Sequence, residues 1–441
     1  MGERYNERWM AEERDRCIAV WRECAPNPAS LDPASLAPKY SLRDHEAREL
    51  AYEAAQREVE WEAKRTARGS AARSAAEKRM VASFARFAAN ALDLEEEQIA
   101  LLTDDFLPAG IDFARRARAF DPNLSQSDIL QACRNSWTAC GLQPLLGAPA
   151  EITPSILAYS LLYPYTDNYL DGAGTALSAK RSFSRRFRER LRGENAPVLD
   201  ERERAVWTLV DRIETQFPRT QYPAVYDCLL AIHQAQEDSL AQLKSGPSLN
   251  DAELLRLSFA KGGASVLVDA CLARGAMNRE ESRAAFQWGA LLQLGDDLQD
   301  LRDDLDRGSA TLFTRAVEQG QPLDALVLQL LAFCARVSAQ MNQLPHGSRQ
   351  LKDLLGMSWR SLILGAIAEA DKFFTPGFLR QVELASPFRF EFLRARRRWL
   401  AGREGLYARL FDRFVDAETL ALPTLSVSRA SSQQQPLELM N

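Results

Sequence analysis

The sequence predicts an all-α protein. Apolar residues recur at three- and four-residue intervals along almost every segment, while alternating strand patterns and Asn-Gly hairpin turns are nearly absent. With 46% apolar and 26% charged residues, the chain has the composition of a folded protein rather than a disordered one. Its 441 residues are enough for a large core and for more than one domain.

Along the chain, residues 3–24 read as one charged amphipathic helix, stopped by Pro26-Asn27-Pro28. Residues 25–40 are proline-rich and read as a linker. Residues 43–80, rich in Ala, Glu and Arg, read as a long solvated helix, so 1–80 form a charged helical extension. Apolar content rises from about residue 81, where the main body begins and runs to 375. Residues 376–422 hold basic amphipathic helices, and the polar composition of 423–441 predicts a disordered tail. There is no internal repeat.

Several function classes are disfavoured. A net charge of −5 gives no general case for binding nucleic acid. No run of ~18 apolar residues suggests a membrane span. The N-terminus lacks a signal-peptide apolar segment, and Asn6 replaces the Ser or Thr of a myristoylation signal. Seven scattered cysteines, none in a C-x-x-C pair, read as reduced core residues of a cytoplasmic protein. Three distant histidines make a His-based zinc site a poor fit, so any metal site would be all-carboxylate.

The most informative stretch runs from Gln293 to Asp306, with six aspartates in the eleven residues from Asp296 to Asp306. Leu291, Leu294, Leu298, Leu301 and Leu305 share one side of a helix, and Asp296, Asp297, Asp300, Asp303 and Asp304 share the other. Like charges one turn apart repel. A solvated acidic face is the ordinary meaning of such a run. Here, however, the acidic side continues backwards as Gln293, Gly289 and Phe286, with no charge between Arg283 and Asp296. That pattern suits an apolar cavity with carboxylates at its mouth, and Mg²⁺ often bridges carboxylates to a substrate phosphate.

A second acidic pair lies upstream. Thr153-Pro154 is a helix start, with Thr as N-cap and Pro at the first position. The helix carries Tyr163, Pro164 and Tyr169 and reaches Asp167 and Asp171, one turn apart on one face, before Gly172. Pro164 should kink it. A solvated helix end explains the pair equally well. Residues 180–192 are basic at seven of thirteen positions, Lys180 and Arg181 first. Such a run is usually a solvated face, although beside carboxylates it could hold an anionic group. Lys261-Gly262-Gly263 lies inside an apolar helix over 254–272, where the glycines permit close backbone approach or a break. Lys261 could contact a diphosphate, or snorkel with Asp269 as a distant partner. In helix 225–243, the acidic and amide groups among His233, Gln234, Gln236, Glu237 and Asp238 could face a metal cluster, although a solvated face is the ordinary meaning of such a pattern. Arg394, Arg396, Arg397, Arg398 and Arg403 lie among Trp399, Leu400, Leu406 and Phe411, a pattern for a packed surface helix or one lying on a membrane.

Two carboxylate motifs about 130 residues apart, with Lys261-Gly262-Gly263 before the second, resemble those of the class I isoprenoid synthase superfamily. The segment from Phe286 through Gln293-Leu294-Gly295-Asp296-Asp297-Leu298-Gln299-Asp300 looks like the second aspartate-rich motif of polyprenyl diphosphate synthases. The longer pattern, from Lys261 to Asp269 and then to Gly308-Ser309-Ala310-Thr311-Leu312-Phe313, is most similar to bacterial large terpene cyclases of the tetraprenyl-β-curcumene synthase type. The resemblance covers roughly 150–320. It implies a class I terpenoid synthase helical bundle around a central apolar cavity, with three Mg²⁺ ions bound together with a prenyl diphosphate. It further implies that Asp167, Asp171, Asp296, Asp297 and Asp300 are metal ligands and catalytic residues, and that Lys261, Lys180 and Arg181 hold the diphosphate. Tyr163, Tyr169, Phe259, Phe286 and Gln293 would line the pocket, although core packing explains any one of these aromatic rings equally well.

The implied reaction is ionisation of a linear prenyl diphosphate, with cyclisation or rearrangement of the carbocation and release of diphosphate. Asn168 replaces the second Asp of a D-D-x-x-D motif, and no pair of arginines follows it, which favours a cyclase over a chain-elongating synthase. A prenyl diphosphate synthase, or a condensing synthase of the squalene or phytoene type, is the alternative. A helical scaffold without chemistry is the non-enzymatic one. A homodimer and peripheral contact with a membrane are compatible with the pattern.

Overall fold

The computed structural model describes residues 4–25, 38–65, 70–171, 176–243 and 249–415, without the side chains of 70–74, 167, 168, 170, 171, 177, 407, 410, 413 and 414. About 80% is helical, with no strand among the described residues. The helices of the first third are α1 (Glu7–Glu23), α2 (Leu42–Lys64), α3 (Ser70–Leu92), α4 (Glu96–Ala100), α5 (Leu107–Phe120) and α6 (Gln126–Leu145). Then follow α7 (Pro154–Asp171), α8 (Leu177–Arg192), α9 (Glu201–Gln216), α10 (Pro223–Ser239), α11 (Asp251–Arg274), α12 (Arg279–Gln299) and α13 (Leu301–Arg307). The remainder is α14 (Leu312–Glu318), α15 (Asp324–Asn342), α16 (Arg349–Glu369), α17 (Pro376–Glu383), α18 (Phe390–Ala401) and α19 (Glu404–Val415).

Helix α11 is the axis of the bundle, packed against α1, α6, α7, α10 and α12. Its ends follow from local chemistry. Asn250 accepts from the Glu253 amide at 3.0 Å, and Gly275 closes the helix in the left-handed conformation. Lys261-Gly262-Gly263 does not break it. Instead, the two glycines let α12 approach: a Cβ on Gly262 would strike the Gly289 carbonyl and lie 2.6 Å from Gln293 Cβ, while one on Gly263 would strike the Phe286 ring. Gly289 is equally tight against the Gly262 carbonyl.

Within the charged helical extension expected over 1–80, the structure places an amphipathic first helix and divides the second. Helix α1 belongs to the core. Trp21 meets Phe259 and Phe333 edge-on at 6.3 and 5.7 Å, Trp9 meets Phe286 at 6.3 Å, and Tyr5 Oη is hydrogen-bonded to Ser282 Oγ at 2.7 Å. Its charged residues lie on the other face, apart from buried Glu13, which pairs with Arg283 at 3.3 Å. The long helix over 43–80 is two helices, α2 and α3, packed together. Helix α2 is anchored to the C-terminal region by buried Glu49, which pairs with Arg389, and by Tyr52 against Phe388 and Phe392. The proline-rich segment 26–37 and the tail from 416 lie outside the described residues.

The basic helices at the C-terminus are tied to this chain: Arg394 pairs with Asp371, Arg396 with Glu53, Arg397 with Glu369 and Arg403 with Glu60. All seven cysteines are free thiols, and six of them are buried. Among the described residues, α15 is the one helix long and apolar enough to cross a bilayer, and it packs against α1, α12 and α16.

The glycine contact yields a stability prediction. Gly→Ala inside a helix gains about 1 kcal/mol of helix propensity, whereas overpacking a tight interior costs about 1–3 kcal/mol. Because the clash is with backbone, overpacking should win. Gly262→Ala and Gly289→Ala should therefore each lower the urea midpoint, and an unchanged or raised midpoint would contradict the close approach of α11 and α12.

Candidate functional site

Helix α12 begins at Asn278, whose side chain accepts from the amides of Glu280 and Glu281, both at 2.9 Å. It ends at Asp300, where ψ rises to 6°, and the chain restarts as α13. The acidic run is therefore two helices that meet at Asp300, with i→i−4 bonds from Asp300 to Asp296 at 2.8 Å and from Asp304 to Asp300 at 2.9 Å. Asp297 is buried between α11 and α12, accepting from Ser258 Oγ at 2.9 Å and from Gln293 Nε2 at 2.8 Å. Burial pushes its pKa up to about 6, against the lowering effect of Gln293, Ser258 and Lys261. Burial and then Asp296 also raise Asp300. Asp304 is pushed up to about 7, by burial first and then by Asp297 and Asp300, with Arg307 and Lys261 opposing. Within the set Asp297, Asp300 and Asp304, Asp304 is thus raised by both of the others, and Lys261 opposes the rise at Asp297 and at Asp304.

The neighbouring carboxylates diverge. Asp296 accepts from Arg134 of α6 at 3.0 Å, with both side chains partly exposed. Asp303 and Asp306 are exposed, so the solvated reading holds for them. Asp304, expected to lie beyond the motif, is instead half-buried within the set. Asp167 and Asp171 fall in the last turns of α7, and their side chains lie outside the described residues.

Next to the set lies a cavity of about 80 Å³ between α7, α8, α10, α11 and α12. Tyr163, Lys261 and Gln293 line it, together with Tyr159, Phe187, His233 and Gln236. The last two correct the solvated reading of helix 225–243. His233 is buried, with Nε2 3.1 Å from the Ser184 carbonyl, and its pKa is lowered to about 4 by burial and by Arg188. It is therefore neutral at physiological pH. Gln234 and Asp238 are exposed, and Glu237 pairs with Arg188.

Other expected pocket residues lie elsewhere. Phe259 is stacked on Phe333 at 5.9 Å, and Phe286 covers Gly263, so both rings are core. The uncharged stripe Phe286, Gly289, Gln293 is uncharged mainly because it packs on α11; only Gln293 reaches the cavity. Tyr169 packs on Phe183 at 5.3 Å under the Arg202 guanidinium. Lys180 and Arg181 begin α8 without lining the cavity. Further along α8 the cations are engaged by this chain: Arg186 pairs with Glu203, and Arg190 with Asp211 and Glu214. Lys261 does not use Asp269, which is buried, protonation-prone and held by Asn135 Nδ2 at 3.0 Å.

Among the described residues, no three His, Cys, Asp or Glu side chains converge into a ready-made metal site. The donor set is nevertheless all oxygen, and its carboxylates raise one another's pKa, which is the condition that a hard divalent cation relieves. No family model, curated protein or solved structure matches the chain.

The raised pKa of Asp304 fixes a pH dependence. In the folded chain its proton is held to about pH 7, against an ordinary value of 3.8. The stability that this contributes is full below the ordinary value and is lost as pH rises through about 7. Asp304→Asn should therefore raise the melting temperature of chelator-treated protein at pH 8, by roughly 2–4 °C, and leave it little changed at pH 4. Equal melting at pH 8 would contradict the repulsion.

Proposed function

We propose that the chain is a Mg²⁺-dependent class I terpene synthase that ionises a linear prenyl diphosphate and cyclises or rearranges the resulting carbocation, releasing diphosphate. The observation that carries this reading is Asp297 and Asp304, both raised by burial and both influenced by Lys261, with Asp300 between them, beside an aromatic-lined cavity that Lys261 borders. The bundle would then be a class I terpenoid synthase fold, with residues 81–375 as its catalytic domain and a cytoplasmic location.

Asp297, Asp300 and Asp304 would hold Mg²⁺ from one wall, with Asp296 after release from Arg134, and Asp167 and Asp171 from α7. Bound Mg²⁺ supplies charge neutralisation for the departing diphosphate. Lys261 donates to a diphosphate oxygen as the carbon–oxygen bond breaks and negative charge grows there. The faces of Tyr159, Tyr163 and Phe187 lie where they would stabilise the carbocation left behind. A neutral His233 adds no opposing positive charge to that cavity. The polar groups of Ser184 and Gln293 are engaged by His233 and Asp297, which limits their capacity to hold a quenching water.

One observation keeps the condensing synthases as a second reading. Asp300 and Asp304 repeat the D-x-x-x-D spacing of Asp167 and Asp171, and paired motifs of that spacing mark enzymes that join two prenyl diphosphates.

Incubation of the purified protein with prenyl diphosphates of ten to thirty-five carbons, with and without Mg²⁺, tests the proposal. A hydrocarbon or alcohol from a single substrate, formed only with Mg²⁺, is the expected outcome. Asp297→Asn, Asp304→Asn and Asp167→Ala should each lower turnover by roughly 10²-fold or more with unchanged helicity. Product only on addition of isopentenyl diphosphate would indicate an elongating synthase. No turnover together with no metal-dependent diphosphate binding would refute the enzyme reading.

A further inference from the structure

A second cavity is far larger than the one beside Lys261. A cleft of about 1060 Å³ lies between α2, α3, α5 and α6, bordered by Leu400, Phe411 and Val415 near the C-terminus. Small-molecule sites are typically about 300–1,000 Å³ and mostly apolar, with a few placed polar groups. The cleft fits that description, whereas the 80 Å³ cavity is far too small for a hydrocarbon chain. Four of the large apolar side chains that this protein leaves exposed line it: Phe84, Leu130, Trp137 and Leu400. Such clustering marks a binding surface rather than scattered surface apolarity. The wall is also shaped on purpose, because Gly110 lets the Trp137 indole lie against α5; a Cβ there would sit 2.8 Å from Trp137 Nε1.

The polar groups identify the occupant. Among the described residues, the charged ones lining the cleft are Glu77 and Arg134, so that lining offers little to read a polar ligand along its length. Arg134 is bonded at 3.0 Å to Asp296, at the end of the carboxylate helix. Arg134 therefore joins the cleft's lining to the first carboxylate of the proposed diphosphate site.

We propose that this cleft binds the hydrocarbon chain of a long linear isoprenoid, with its polar end at Arg134. The class of chain rests on the function proposed above.

The test uses full-length protein, a chelator, and geranylgeraniol, a prenyl alcohol with no leaving group, followed by displacement of a fluorescent apolar dye. Since neither metal nor diphosphate is present, an enzymatically inactive protein can still pass, so failure here and failure of the synthase reading are distinguishable. Ala55→Trp fills the cleft from α2, and Leu130→Gln makes its partly exposed wall polar. Both should weaken geranylgeraniol binding roughly tenfold or more, with unchanged helicity and melting temperature. Full-strength binding by both variants, or no binding by the unaltered protein, would overturn the proposal. So would a cleft that Leu130→Gln converts from dimeric to monomeric without any effect on the alcohol.

Discussion

The contact between Gly262 of α11 and Gly289 of α12 is the constraint on which the rest of the site depends. A glycine inside a helix costs about 1 kcal/mol relative to alanine, and this chain places glycines at matched positions on its two most buried helices. In return, the backbones come close enough for carbonyl to meet Cα. One turn from the contact, Ser258 and Gln293 reach across to the same carboxylate, Asp297, and Lys261 lies beside it. A wider separation would leave Asp297 in water with an ordinary pKa.

Burial of that one acid sets the electrostatics of its neighbours. Asp297 and Asp300 sit at the C-terminal end of α12, where the helix dipole disfavours negative charge. The helical i→i−4 bonding continues through Asp300, so Asp304 follows one turn further on and is raised by both Asp297 and Asp300. Lys261 and Arg307 offset only part of the repulsion. A purely structural cluster gains nothing from this arrangement, whereas a site that takes a cation and an anionic ligand together needs it.

Much of this was legible in the sequence, and the exceptions share one cause. The all-α class, the caps at Thr153, Asn250 and Asn278, the close approach permitted by Gly262-Gly263 and the cavity positions of Tyr163, Lys261 and Gln293 follow from local pattern. What failed depended on distant partners. The stripe Phe286–Gly289 is uncharged whether it faces a cavity or a helix, and periodicity does not distinguish the two. Helix α1 is charged enough to look solvated, yet a narrow face of Tyr5, Trp9, Cys17 and Trp21 seats it in the core. Buried His233 and half-buried Gln236 are interspersed with exposed Gln234 and Asp238, so averaging over the segment hid the two residues that line the cavity. The Arg134–Asp296 pair spans 162 residues and carried no sequence signal. Asp304 was the recoverable miss, since it lies one turn after Asp300 at the same spacing as Asp167 and Asp171.

The central claim is that Asp297, Asp300, Asp304 and Lys261 form a site for Mg²⁺ and diphosphate together. Calorimetric titration of Mg²⁺ into the full-length protein, with and without inorganic diphosphate, tests it most directly. The account predicts weak Mg²⁺ binding alone, much tighter binding when diphosphate is present, and loss of that gain in Lys261→Ala. Equal Mg²⁺ binding in the two titrations, or an undiminished gain in Lys261→Ala, would contradict it.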